Sequence, residues 1–127
     1  MKEVRLAIEI EKPALDVFAF ALNPNNTPKW IDGIVLEETN EWETKVGTIY
    51  RNQNEKGEWS EYVITEFKEN EMFIMSKRDS SYHVRYTFRP HGNSSCELEY
   101  LEWVDEGELE EPFTIDKLEK FKEVIEA

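Results

Sequence analysis

The sequence predicts an α+β fold in which a seven-stranded antiparallel sheet, apolar on one face, curves around a C-terminal helix in the order β-α-α-β6-α. Three observations lead there. Period-two runs of apolar residues recur in meander spacing, two short helix signals sit together near the N-terminus, and only the last thirteen or so residues return to helical spacing. A sheet with one greasy face must be covered, and those helices are the only cover available.

Val4, Leu6, Ile8 and Ile10 alternate with charged or small residues and give the first strand. Pro13 suits the first turn of a helix whose buried stripe is Leu15, Val17, Phe18, Ala21 and Leu22, and Asn23 with Pro24 ends it. Thr27 and Pro28 read as the cap and first position of a very short second helix carrying Trp30. Strands follow at 34–38, 46–52, 58–67, 72–77, 82–89 and 96–104, and a helix at 114–126 places Leu118, Phe121 and Ile125 on one side.

The last hairpin can be registered from its turn. HGNS is a turn cluster and Pro90 ends the first strand, so Arg89 falls opposite Ser95 and pair numbers sum to 184. One face then holds Tyr82, Val84, Tyr86 and Phe88 against Glu102, Tyr100, Leu98 and Cys96. The other carries His83, Arg85, Thr87 and Arg89 against Leu101, Glu99, Glu97 and Ser95, a wet face. A single carboxylate, Glu102, lands on the apolar side.

Residues 1–127 read as a single domain, with 13% aromatic and 34% charged residues excluding disorder. The net charge of -13 is concentrated in residues 97–127, where twelve acids face three lysines; such a field repels phosphate and anionic headgroups, which argues against nucleic acid as a partner. No apolar run suits a signal peptide or a membrane span, so no membrane insertion and a cytoplasmic location are expected. The single cysteine, Cys96, forms no internal disulfide and sits on the apolar face as a small core residue.

The element order, with ALDVFAFALNPNNTPKWIDGI at 14–34, KVGTIYR at 45–51, and EYVITEFKENEMF followed by YTFRP and CELEY, resembles the START and pollen-allergen-like helix-grip superfamily (SRPBCC), in particular its polyketide cyclase/dehydrase-like branch. The resemblance spans nearly the whole chain and rests on packing signatures. It implies a sheet gripping a C-terminal helix and a cavity between them for a lipid, polyketide or aromatic metabolite. It also implies alternatives, a cyclase- or dehydratase-like enzyme or a chaperone-activator-like interaction module. The final helix is shorter than is usual in that superfamily, which leaves the closure of the cavity in question.

Alternation points Trp30, Tyr50, Trp59, Met75, Tyr82, Val84, Tyr86, Phe88, Leu98 and Tyr100 at such a cavity, with Phe121 from the last helix. Glu102 admits two readings: a general acid or base partnered by Tyr82, or an acid near a strand end, solvated or paired with Lys or Arg. Asp32 either guards the mouth or serves as a turn residue. His83 on the wet face and His91 in a turn leave no metal site and no base near a serine, and the glycines make no phosphate-cradling motif, so no metal and no cofactor is expected. Leu101 and Trp103 on the outer face either fray into the loop covering the last helix or form an exposed apolar patch that would pair two copies in a homodimer.

Overall fold

In the computed structural model, which describes residues 1–127, seven strands form one antiparallel sheet: β1 (Glu3–Ile10), β2 (Ile34–Thr39), β3 (Ile49–Asn54), β4 (Trp59–Lys68), β5 (Met72–Lys77), β6 (Tyr82–His91) and β7 (Ser95–Val104). The strand order is β1-β7-β6-β5-β4-β3-β2, a meander whose first strand crosses over to pair with the last. Two helices, α1 (Ala14–Leu22) and α2 (Thr27–Trp30), link β1 to β2, and α3 (Ile115–Glu126) closes the chain. The expected α+β order and the curved sheet around a C-terminal helix are what the chain forms. Element ends move by up to three residues; the third strand starts at Ile49, leaving Val46 exposed, and Leu15 in the expected stripe of α1 points to solvent.

The last hairpin is tighter than its turn suggests. His91 pairs with Ser95 around Gly92, which takes the positive φ of 73° that the turn requires, and all pairs shift so that Val84, not Tyr82, faces Glu102. Pro90 does not end the strand, because it lies beyond Thr87, the last β6 residue paired to β5, where its missing N–H faces no partner strand. The shift is even, so each side chain keeps its expected face. On the wet face Arg85 therefore reaches Glu99 diagonally, at 3.2 Å.

Two bulges change faces elsewhere. A register shift between Ile34 and Leu36 turns Leu36 out and Glu37 in, and another between Ile64 and Glu66 lets both Tyr62 and Phe67 face the concave side.

One half of the concave face is packed solid. Phe18 of α1 meets Phe67, Phe73 and Phe88 edge-on with centroids 5.3–6.0 Å apart, and Leu98 and Cys96 are fully buried in the same cluster. At the other half, Phe121 of α3 is clamped edge-on by Phe20 at 5.2 Å and Trp30 at 5.0 Å. On the convex face, Leu101 lies in the ladder between Arg5 and Arg85, whose guanidinium groups both reach Glu99; it is only 7% exposed. Trp103 stacks on His83 at 4.9 Å. Neither residue frays into a loop, and Leu101 is no part of an exposed patch, which removes that argument for pairing two copies.

Candidate functional site

The unfilled half of the concave face holds a cavity of about 290 Å³. Its floor is Tyr62, Phe73, Met75, Val84, Tyr86 and Tyr100 from β4 to β7, its flank is Ile34, Glu37 and Asn52 from β2 and β3, and its roof is Ala21, Thr27, Trp30 and Phe113. Asp32, Glu111 and Lys117 line it at the rim, and the first two are exposed. A more polar depression of about 590 Å³ adjoins it, sharing Tyr62, Tyr82 and Glu111. The short α3 thus leaves one end of the grip without a cover.

Of the residues that alternation aimed at a cavity, Trp30, Met75, Tyr82, Val84, Tyr86 and Tyr100 line it, and so does Asp32. Phe88, Leu98 and Phe121 face inward but are consumed by packing, Phe88 against Phe18 of α1 and Phe121 against Phe20. Tyr50 is fully buried behind the wall, its hydroxyl donating to the Leu22 carbonyl at 2.7 Å and bonded to Thr44 Oγ1 at 2.8 Å; burial pushes its pKa up to about 12. Trp59 points the other way: it is 41% exposed on the convex side with the Arg51 guanidinium 4.3 Å over its ring. Tyr62, three residues on, takes the inward position expected of Trp59.

Glu102 is neither solvated nor paired with a base. The strand runs on to Val104, and Glu102 is 1% exposed. Its Oε1 accepts from Tyr82 Oη at 2.8 Å and Tyr100 Oη at 2.7 Å, and its Oε2 from the Phe113 N–H at 3.0 Å. It sits behind the cavity wall and holds Phe113, which stacks on Tyr100 at 4.1 Å and meets Trp30 at 6.0 Å. Its structural effect is to fix the roof. Asp32 is ion-paired to Lys120 at 2.7 Å, which holds its carboxyl below the usual range and ties the end of α2 to α3.

Glu37 was missed, because strict alternation along β2 puts Leu36 inward and Glu37 out, and the bulge reverses them. Nothing in the IVLEET pattern signals that bulge. In the cavity flank Glu37 is 9% exposed, accepts from Thr27 Oγ1 at 2.6 Å and, more weakly, from Asn52 Nδ2 at 3.4 Å, and has no basic partner. Burial raises its pKa against the two hydrogen bonds that lower it. The native carboxyl thus binds its proton more tightly than the unfolded one, so ionising it lowers stability as pH rises through the native value, and the difference vanishes below the ordinary glutamate value of 4.5. Glu37→Gln is therefore expected to raise Tm at about pH 8 and to shift it less at about pH 4; thermal melts at both pH values check this.

Two phenols complete the polar set. Tyr62 and Tyr86 make no hydrogen bond through their hydroxyls within the protein, yet the one fully enclosed side-chain polar atom lacking a partner is Arg85 Nε, so both hydroxyls are reachable from the cavity. Burial pushes the Tyr62 pKa up to about 12 and Tyr86 well above its usual value, which keeps both as neutral donors at ordinary pH.

No protein-family model matches the sequence, and no curated protein does. Solved structures do match in shape. An uncharacterised protein from Bacillus thuringiensis superposes with a TM-score of 0.72 at 15% identity, covering 98% of this chain and 99% of that one. A polyketide-cyclase-like protein from Corynebacterium glutamicum gives 0.60 at 19% identity over 80% of this chain and 64% of that one. The norcoclaurine synthase of Thalictrum flavum, in complex with dopamine and hydroxybenzaldehyde, gives 0.62 at 15% identity over 98% and 86%. The chain has the helix-grip fold. At these identities the likeness is one of architecture, and no helix is long and apolar enough to cross a membrane.

Elsewhere on this helix-grip frame, one constellation contradicts the expectation that no serine would lie near a base. Ser76 Oγ is 2.7 Å from His83 Nδ1, and His83 Nε2 is 2.7 Å from Asp105 Oδ2. A relay of this kind also needs N–H donors for the developing oxyanion. Ser76 lies in a strand paired on both sides, to Val63 and to His83, so the neighbouring N–H groups are committed to the ladder. The trio ties β5 and β6 to the residue that follows β7 on the convex face.

Proposed function

We propose that this protein binds a small, largely apolar molecule of one or two aromatic rings in the cavity between the concave sheet, α2 and the start of α3. The observation that supports this best is the cavity itself: aromatic and aliphatic walls, with Glu37, Tyr62 and Tyr86 converging on it and no side chain filling it. Its volume of about 290 Å³ sets the size of the guest. An apolar void of about 150 Å³ takes benzene and drug-sized ligands need roughly 300 Å³ or more, so one or two rings fit and a sterol or long lipid does not. Norcoclaurine synthase, which has the same fold, is complexed with two single-ring molecules, in keeping with that size.

A catalytic reading also keeps one specific support. A cyclase or dehydratase needs a titrating group at the void, and Glu37 meets that requirement without a basic partner, whereas Glu102 lies behind the wall and Asp32 at the rim is ion-paired to Lys120.

The binding reading is tested with 1-naphthalenemethanol, titrated by its fluorescence. Saturable binding is expected, and Val84→Phe, which fills the void from the floor, is expected to weaken it by about tenfold or more while the far-UV spectrum is retained. Ala21→Phe fills the void from the roof and serves as the second variant. Non-saturable behaviour of the wild type, or unchanged affinity in both filled variants, contradicts the reading.

A further inference from the structure

The cavity carries more information about its guest than size. Burying a carboxylate without a basic partner is unfavourable, and proteins ordinarily pair such a group or leave it out. Glu37 is nonetheless held in place by donors from two elements, Thr27 of α2 and Asn52 of β3. A carboxylate can accept about four hydrogen bonds, so these two leave acceptor capacity free. Its surroundings are rings: Trp30, Tyr62, Phe73 and Tyr86 line the same void. Electron-rich ring faces beside a desolvated carboxylate form the environment that stabilises an organic cation, through cation–π attraction and a charge-assisted hydrogen bond.

The charge of the walls agrees. Lys117 is the single basic residue lining the cavity and lies over the Phe113 ring at 4.9 Å, while Asp32 is neutralised by Lys120. Glu37 and Glu111 then leave the site negative, within a chain of net charge -13. That field raises the local concentration of cations and lowers that of carboxylates and phosphates.

Resting on the binding reading above, we propose that the ligand is a small arylalkylamine bound as its ammonium ion, with Glu37 as the counter-ion. The ring occupies the apolar part of the cavity and the ammonium replaces the missing basic partner of Glu37, donating to its free oxygen lone pairs. This assigns Glu37 a selectivity role: a neutral isostere of the amine forgoes the ion pair, and an acid meets repulsion.

The pairing predicts a pH dependence. The titratable or charged groups facing Glu37 are Tyr50 and Tyr62 on β3 and β4, Tyr86 on β6, Asp32 after α2, Glu111 before α3 and Lys117 in its first turn. The phenols stay neutral across the accessible range and the Asp32 carboxyl is held ionised by Lys120. Preference for an amine should therefore grow as pH rises and Glu37 ionises, then fall when the pH passes the amine's own pKa and it loses its proton.

The test titrates the full chain with 1-naphthylmethylamine and with its neutral isostere 1-naphthalenemethanol between about pH 5 and about pH 8. The amine is expected to bind about tenfold tighter than the alcohol at the higher pH, with the ratio shrinking at the lower. In Glu37→Gln the ratio is expected to collapse to within about threefold of unity. Equal affinities in the wild type, a pH-independent ratio, or a preference that survives Glu37→Gln overturns the proposal while leaving the binding reading intact. If neither probe binds, the binding reading fails and this proposal with it. The wild-type pH series needs no variant, so poor folding of Glu37→Gln does not remove the test.

Discussion

Glu102→Ala is expected to destabilise the protein by about 3–5 kcal/mol, near the upper end of single-residue effects. The substitution leaves the Tyr82 and Tyr100 hydroxyls and the Phe113 N–H without their shared acceptor, a carboxylate that is only 1% exposed. Each unsatisfied donor costs about 1–3 kcal/mol, and partial repairing between the two phenols, already 3.4 Å apart, recovers some of it. Glu102→Gln is the informative companion. Its oxygen can still accept from both phenols, but its amide then faces the Phe113 N–H donor to donor, so a loss of about 1–3 kcal/mol is expected. Urea unfolding at constant m-value measures both. A loss below about 1 kcal/mol for the alanine variant would show that the carboxylate is solvated, as its place near a strand end first suggests.

Phe121→Ala should cost about 3–5 kcal/mol as well, by a different route. The ring is fully buried and held edge-on between Phe20 and Trp30, so its removal opens a void that two rigid aromatic neighbours cannot collapse into. Trp30 is also a cavity wall, and the loss should be accompanied by faster amide exchange in α3 than in the β6–β7 hairpin. Ile115→Ala at the exposed start of the same helix is the control, expected within about 0.5 kcal/mol of wild type. Equal losses for the two would mean that α3 is not clamped through Phe121.

The architecture was legible because period-two and helical spacing each leave a direct trace in composition. The concave face of β6 and β7 was read correctly even though the register was displaced, since an even shift preserves faces. What alternation could not show was where it breaks. The bulges in β2 and β4 exchange Leu36 for Glu37 and bring Tyr62 and Phe67 to one side, and neither leaves a glycine or proline as a marker. Nor does a face predict which of its residues a helix will cover. Phe88 is taken up by its edge-on contact with Phe18 of α1, and Leu98, its partner across the hairpin, is fully buried, while Val84 and Tyr100 on the same face line the void. The identity of the buried acid was half visible: Glu102 stood out for its company on an apolar strand, while Glu37, the acid that reaches the void, looked like one of several ordinary surface glutamates.

The central claim is that a guest molecule enters the concave side of the sheet and lies against Glu37. Amide chemical-shift mapping with 1-naphthylmethylamine tests it most directly. Saturable perturbations centred on Trp30, Glu37, Val84 and Tyr86, quiet on the convex face around Leu101 and Trp103, are the expected result; shifts that never saturate, or that gather on the convex face, would contradict it.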